Sequence, residues 1–208
     1  TPTVTTTYTV TGTDANGCIA TDQLVVTVNT LPTATVNNEA ICDGGSAATF
    51  TATSATAVSW LWSDNGTGTS QTTTGTTAGD YTVVVTDAQG CESAPATGIL
   101  TVNALPTVTV NNETICAGDA APTFTATATS GTAATWLWTG EGTGTAATTT
   151  GTTAGNYTVV VTDAQGCESA PATGILTVNA LPMVTVNSES ICAGDSAATF
   201  TATSATAT

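Results

Sequence analysis

The sequence predicts an all-β chain of tandem β-sandwich modules, each about 75 residues long. Thr and Val, which favour strands, are abundant, whereas the strong helix formers Lys, Arg and Met are absent or nearly so. Apolar and polar residues alternate over many short stretches, with the period of half-buried strands. A near-exact internal repeat then divides the chain into modules.

The repeat is visible letter for letter, because residues 82–106 and 158–182 are identical. The dipeptide Leu-Pro starts at Leu31, Leu105 and Leu181, so successive copies are 74 and 76 residues apart. A diverged copy of the same segment lies around Tyr8. Because an active site needs different groups to converge, adjacent near-identical copies favour a spacer or a repeated contact over an enzyme.

The period predicts two complete modules, at residues 29–102 and 103–178. The C-terminal part of an earlier module (1–28) precedes them, and the N-terminal part of a later one (179–208) follows. Joined together, these flanks contain no Trp-Leu-Trp segment and therefore lack the middle strands. We expect the chain to be a segment of a longer tandem array, in which each module folds separately and is joined to the next by a short linker.

In the second module the first strands follow in order. "TVTV" at 107–110 and "TFTATAT" at 123–129 alternate apolar and polar side chains. In "ATWLWTG", Trp136 and Trp138 share one face and Leu137 takes the other. "GDA" before the second of these strands and "GEGTG" after the third are turns by their Gly and acidic content.

The last strands complete the module. "NYTVVVTD" places Tyr157, Val159 and Val161 on one face, "DAQG" forms a turn, and "GILTV" closes the unit. About seven short strands in this length predict an immunoglobulin-like sandwich, and a Tyr after a Gly in the sixth strand is typical of a tyrosine corner. The predicted core residues are Phe50, Trp60, Tyr81, Phe124, Trp136 and Tyr157.

A family resemblance follows from the motifs "IC-x-G", "ATFTA", a central Trp and "AG-x-YTV-x-VTD-A-x-GC". The chain resembles, over essentially its whole length, the tandem extracellular Ig-like or PKD-like repeats of Bacteroidota surface proteins, of the gliding-adhesin type. The resemblance implies a long protein, secreted by the type IX route, in a cell-surface filament or adhesin. It implies no catalytic residues. Ser196, in Asp-Ser-Ala, matches the O-glycan acceptor motif of that group.

Each complete module holds two cysteines, which favours disulfides in an oxidising, extracellular setting. Pairing within modules would join Cys42 to Cys91 and Cys116 to Cys167. Cys18 and Cys192 would then have partners outside this segment. Pairing across the joint, Cys42 to Cys167, and free thiols are the open alternatives. No two cysteines are close in sequence and there is no His, so no metal site is predicted.

The charge excludes several classes of function. The chain has no Lys, Arg or His against 15 acidic residues, for a net charge of -15. Binding to a phosphate backbone or to an anionic membrane needs cationic side chains, so neither nucleic acid nor a lipid surface is an expected partner. No apolar run reaches the ~20 residues of a membrane helix. No cofactor is expected, and the acids Asp87, Asp163, Glu92 and Glu168 are interpreted as solvated turn residues.

The sequence therefore predicts a non-enzymatic, extracellular segment of a bacterial surface filament or adhesin. Its expected partners are neighbouring modules or identical chains, with surface glycans as further candidates. The alternative is an array of carbohydrate-binding modules on a secreted glycan-degrading protein. That alternative expects Trp60 or Trp62 to be exposed beside a polar groove, whereas the filament expects buried Trp.

Overall fold

The computed structural model describes residues 1–205, and these contain strands and turns but no helix. The chain divides into two compact units, Thr1–Asn103 and Ala104–Thr208. The strands of the first unit are β1 (Thr6–Thr13), β2 (Ile19–Val26), β3 (Thr35–Val36), β4 (Glu39–Cys42), β5 (Ala48–Thr53), β6 (Ala57–Asp64), β7 (Thr72–Gly75), β8 (Gly79–Asp87) and β9 (Ala96–Asn103).

Seven strands of the first unit form two sheets. One sheet has the order β3-β5-β7, and the other has the order β4-β9-β8-β6. All pairs are antiparallel except β4 with β9, which run parallel. Strands β1 and β2 form a separate hairpin, in which Tyr8 lies opposite Leu24. In the pair of β8 and β9, Tyr81 lies opposite Gly98.

The core of this unit lies between the two sheets. Alternate residues of β5, with Phe50 fully buried, face the inward side chains of β6, β8 and β9. On β8, Tyr81, Val83 and Val85 are buried, which is the alternation expected of a half-buried strand. Seven strands in two packed sheets confirm the immunoglobulin-like β-sandwich.

The second unit repeats this architecture. Its strands are β10 (Thr107–Val110), β11 (Glu113–Cys116), β12 (Thr123–Ser130), β13 (Ala133–Gly140), β14 (Thr148–Thr150), β15 (Gly155–Asp163), β16 (Ala172–Asn179), β17 (Met183–Val186) and β18 (Ala202–Ala205). The sheets are β10-β12-β14 and β11-β16-β15-β13, and β17 pairs with β18 as a separate ribbon. The predicted module boundaries at 28, 102 and 178 stay a prediction.

A tyrosine corner closes each sandwich. The Tyr81 hydroxyl donates to the Thr77 carbonyl at 3.0 Å, and Tyr157 does the same to Thr153 at 3.0 Å. Each tyrosine ring also stacks on a core phenylalanine of the opposite sheet. The predicted core positions Phe50, Tyr81, Phe124 and Tyr157 are thus all buried.

The two tryptophan predictions were assigned to the wrong member of each pair. Trp62 and Trp138 are only 4% and 3% exposed, whereas Trp60 and Trp136 are half-buried and pack against the edge of the core. The difference arises because Trp62 lies deeper along β6, where its Nε1 donates to the Ser70 carbonyl at 2.9 Å. Both tryptophans do share one face, as the alternation predicts.

An unpredicted pair of asparagines joins the two sheets. Asn37 Oδ1 accepts from the amide of Thr51 in β5 at 2.7 Å. The next residue, Asn38, accepts from the amide of Ile99 in β9 at 2.8 Å. Adjacent side chains therefore hold opposite sheets where the chain crosses between β3 and β4. In the second unit, Asn111 and Asn112 make the same contacts with Thr125 and Ile175, at 2.6 and 2.8 Å.

Candidate functional site

The most regular chemical feature is a turn that ends in cysteine, found three times with the pattern Asp-Ala-x-Gly-Cys. In the first unit the Asp87 Oδ1 accepts from the amides of Gln89 and Cys91, at 2.9 and 2.8 Å. Gly90 has a φ of 78°, which favours glycine at that position. The three cysteines of this turn are called GC-type below, and they are Cys18, Cys91 and Cys167.

The remaining cysteines follow an isoleucine and are called IC-type: Cys42, Cys116 and Cys192. Cys42 is the last residue of β4 and lies opposite Asn103, the last residue of β9. Cys116 likewise ends β11 opposite Asn179, the last residue of β16. Each therefore lies where the final strand of its four-stranded sheet finishes, which we call the far end.

The GC-type cysteine lies at the opposite, near end of the same sheet. Strand β8 runs antiparallel to β9, with Val83 opposite Ala96, the first residue of β9. The chain then continues past that point to Asp87 and the turn that holds Cys91. Eight residues of β9 span about 26 Å, whereas a disulfide joins Cα atoms less than about 7 Å apart.

The predicted pairs Cys42–Cys91 and Cys116–Cys167 are therefore wrong. Cys91 and Cys116 carry free thiols, as do Cys18 and Cys192, whereas Cys42 and Cys167 are both disulfide-bonded. The physical reason is strand β4, which the alternation of apolar and polar residues did not predict. Because β4 runs parallel to β9, it carries its cysteine away from the turn after β8.

Burial follows the chemical state of these residues. Among GC-type cysteines, Cys167 is fully buried and Cys91 is half-buried. Among IC-type cysteines, Cys42 is half-buried and Cys116 is exposed. A disulfide is thus present, as the extracellular prediction expects, together with accessible thiols at both ends of the modules.

The aspartate carboxylate of this turn accepts hydrogen bonds from backbone amides. In the first copy, hydrogen bonds from the amides of Cys18 and then Asn16 hold the pKa of Asp14 below the usual range of an aspartate. These amides lie 2.8 and 2.9 Å from Asp14 Oδ1. A carboxylate that accepts two backbone N–H groups is stabilised in its charged form.

The acidic residues do not assemble into a metal site within residues 1–205, where no group of three potential ligands lies together. Asp87 and Asp163 each receive two backbone amides within their own turn. Both residues are therefore turn acids, but the prediction that they are solvated is wrong for Asp87, which is only 6% exposed, and Asp163 is half-buried.

The outer face of each four-stranded sheet carries apolar side chains among hydroxyls. Leu61, opposite Val84, is 62% exposed, and Leu137 at the equivalent position is 56% exposed. Beside them, the Thr82 and Thr97 hydroxyls are 2.9 Å apart. The pattern is the same in the second unit, where the Thr158 and Thr173 hydroxyls are 2.8 Å apart.

Ser196, the predicted O-glycan position, is exposed in an irregular segment between β17 and β18. Its neighbour Asp195 accepts from the Cys192 amide at 2.8 Å. Its modification stays a prediction.

No helix in residues 1–205 has the length and apolar character needed to cross a bilayer.

No family model matches the chain, and no curated protein matches it.

Solved structures of tandem β-sandwich modules are similar to it in fold. One holds fibronectin(III)-like modules of Clostridium thermocellum CbhA, with 19% identity, a TM-score of 0.38, and coverage of 71% of this chain and 95% of that one. A titin I-band fragment gives 16% identity and 0.38, with 73% and 65% covered. The N-terminal Ig domains of Dscam1 give 16% and 0.32, with 79% and 52% covered. This chain thus spans about half of the Dscam1 structure.

Proposed function

We propose that this chain is a non-catalytic spacer and adhesive segment of a long, secreted bacterial surface filament or adhesin. The observation that carries the proposal is the duplication of geometry, down to the hydrogen bonds, in two consecutive sandwiches. The tyrosine corner and the asparagine contacts recur with the same partners in both units. A repeated module of this kind supplies length and repeated contacts rather than one reactive centre.

The composition suits an exposed fibre. Without Lys or Arg the chain offers no cleavage site to trypsin-like proteases, and its net charge of -15 opposes non-specific aggregation. The disulfide-bonded Cys42 and Cys167 support an oxidising location. The Bacteroidota origin, the type IX route and the O-glycan at Ser196 belong to the proposal through the sequence resemblance.

Immunogold electron microscopy of the cells that make the protein tests this function. Antibodies raised against the 208-residue chain should label thin fibres that extend from intact, unpermeabilised cells. Antibody label found only inside the cells, or only on soluble secreted protein that is not attached to fibres, would overturn the proposal.

A second function, glycan binding, is favoured by one observation. Trp60 and Trp136 are half-buried at equivalent positions, so part of each indole is accessible to a sugar ring. Titration of the chain with soluble polysaccharides, followed by Trp fluorescence, tests it. Saturable quenching that the double variant Trp60→Ala, Trp136→Ala loses, while its fold is retained, would support carbohydrate binding over a purely mechanical role.

A further inference from the structure

A polar cavity opens at the near end of the first-unit sandwich. It has a volume of about 250 Å³, and three segments enclose it: residues 29–33 before β3, residues 55–56 between β5 and β6, and the turn that begins at Asp87. The lining residues with polar side chains are Asn29, Thr30, Thr33, Thr56, Asp87 and Gln89. All of them except Asp87 are exposed, so the cavity is accessible to ligands from solvent.

The Asp87 carboxylate is the buried part of this lining. Asp87 is only 6% exposed, and its Oδ1 accepts from the amides of Gln89 and Cys91 at 2.9 and 2.8 Å. No donor in residues 1–205 bonds to Oδ2, although this oxygen is not sealed from solvent. An ionised carboxylate only accepts hydrogen bonds, and the chain has no Lys, Arg or His. The free oxygen therefore requires a donor from a molecule in the cavity.

The lining matches a neutral ligand rich in hydroxyl groups better than an ion. Calcium takes roughly six to eight oxygen ligands, whereas Asp87 is the single acidic residue among the nine described residues that line the cavity. An anion would be repelled by Asp87, with no cationic side chain in the chain to hold it. The amides of Asn29 and Gln89 and the hydroxyl of Thr56 each donate and accept, as sugar hydroxyls do. Pro32, a buried lining residue, adds apolar surface for the C–H groups of a sugar ring.

The corresponding region of the second unit has a longer hairpin. Between the core Phe and the first Trp, the hairpin of β12 and β13 has two more residues than that of β5 and β6. Within it, the Ser130 Oγ accepts from the Thr107 amide at 3.1 Å. A β-carbon on Gly131 would lie 3.3 Å from the ring of Pro106. This hairpin therefore packs on the segment equivalent to residues 29–33, and the surroundings of the two aspartate turns differ although their sequences are identical.

We propose that this cavity binds one neutral pyranose unit of a glycan. Asp87 Oδ2 accepts from a sugar hydroxyl, the Gln89 side-chain amide hydrogen-bonds to a neighbouring hydroxyl, and Pro32 contacts the C–H face of the ring. The proposal assigns a ligand class to a site that the filament function does not require, so either of the two can fail alone. The site is also distinct from the accessible indoles of Trp60 and Trp136, which are not among the lining residues of the cavity.

NMR titration of the ¹⁵N-labelled 208-residue chain tests the proposal. The probes are the methyl glycosides of glucose, galactose and mannose, each added separately. We expect at least one of them to shift the backbone amide resonances of Thr33, Thr56 and Gln89 in a saturable manner. The variant Ala55→Trp, at an exposed position of the lining, should abolish these shifts because the indole fills the cavity.

The decisive variant is Asp87→Asn, and its matched control is Asp163→Asn. An asparagine keeps the Oδ1 acceptor for the turn amides but replaces Oδ2 by a donor group. We expect Asp87→Asn to weaken glycoside binding by about tenfold or more, as the loss of a hydrogen bond to a charged group does. Asp163→Asn makes the same change in a turn of identical sequence and should leave the affinity unchanged. Equal losses in the two variants overturn the proposal.

Calcium chloride and methylammonium chloride are titrated in the same way. Saturable shifts of the cavity amides with either cation, but with none of the glycosides, overturn the proposal in favour of a cation site. Glycoside binding that shifts only the Trp60 indole, or no saturable shift while circular dichroism shows the chain folded, also overturns it. Immunogold-labelled fibres without glycoside binding at the cavity would leave the proposed function standing and remove this site.

Discussion

The rings of Phe50 and Tyr81 stack with their centroids 4.1 Å apart and their planes 11° from parallel. Phe50 belongs to β5 of the three-stranded sheet and Tyr81 to β8 of the four-stranded sheet, so the pair joins the two layers of the sandwich. The Tyr81 hydroxyl also donates to the carbonyl of Thr77 in the segment before β8. Tyr81 therefore both packs against the opposite sheet and holds the segment before β8 in place.

Removing the hydroxyl should cost stability without changing the stack. We expect Tyr157→Phe to lower the free energy of unfolding by about 1–2 kcal/mol, because the Thr153 carbonyl loses its donor at 3.0 Å. Urea unfolding followed by circular dichroism measures the change. The control is Tyr8→Phe, whose ring is 46% exposed and whose replacement should cost less than about 0.5 kcal/mol. Equal effects at the two positions would contradict the role of the corner.

The tyrosine corner also requires a glycine. A β-carbon on Gly75 would overlap the Tyr81 hydroxyl, and the ring cannot retreat because Phe50 stacks against it. We expect Gly75→Ala to destabilise the sandwich by about 1–3 kcal/mol or more, as overpacking in a core does. Thermal unfolding measures this against Gly12→Ala, where nothing lies within 4 Å of the new β-carbon. A wild-type melting temperature for Gly75→Ala would show that the loop moves freely.

The two tryptophans of β6 should respond differently to replacement by phenylalanine. Trp62→Phe removes a buried indole donor and leaves the Ser70 carbonyl unpaired, at a cost of about 1–3 kcal/mol. Trp60 Nε1 is buried without a hydrogen-bond partner among the described residues, so Trp60→Phe removes an unsatisfied group and should be nearly neutral or stabilising. Chemical unfolding of both variants measures the two changes in the free energy of unfolding. A larger loss of stability for Trp60→Phe than for Trp62→Phe would contradict the assignment of Trp62 as the hydrogen-bonded core residue.

The asparagine pair should stabilise the sandwich through hydrogen bonds at its surface. Asn111→Ala removes the acceptor for the Thr125 amide and the donor to the Thr123 carbonyl, with an expected loss of about 0.5–1.5 kcal/mol because these bonds are exposed to solvent. The matched control is Asn156→Ala at an exposed strand position that the first module fills with Asp80. Hydrogen exchange at the Thr125 amide should accelerate in Asn111→Ala alone. Unchanged exchange there would exclude the proposed contact.

Most strands and the buried Phe and Tyr residues were predictable, because alternation indicates directly which face of a strand is buried. Phe50 and Tyr81 follow from that pattern, and so does the outward position of Leu61. The alternation does not indicate which strand is a neighbour, and this is why the cysteine pairs were wrong. The segment that ends in Cys42 is too short to show a period, and its parallel pairing with β9 is a tertiary choice. The Asn37 contacts were also missed, because an asparagine between strands is equally typical of a turn.

The Asp14 turn makes the first hairpin sensitive to acid. Hydrogen bonds from the Cys18 and Asn16 amides lower the Asp14 pKa, so the folded turn favours the charged carboxylate. The stabilisation is therefore complete above the ordinary pKa of an aspartate and is lost as the pH falls through the lowered value. NMR titration should show the Cys18 amide resonance shifting with a midpoint below the usual aspartate range, and Asp14→Asn should abolish that shift. A midpoint within or above that range would mean that the turn forms independently of the carboxylate charge.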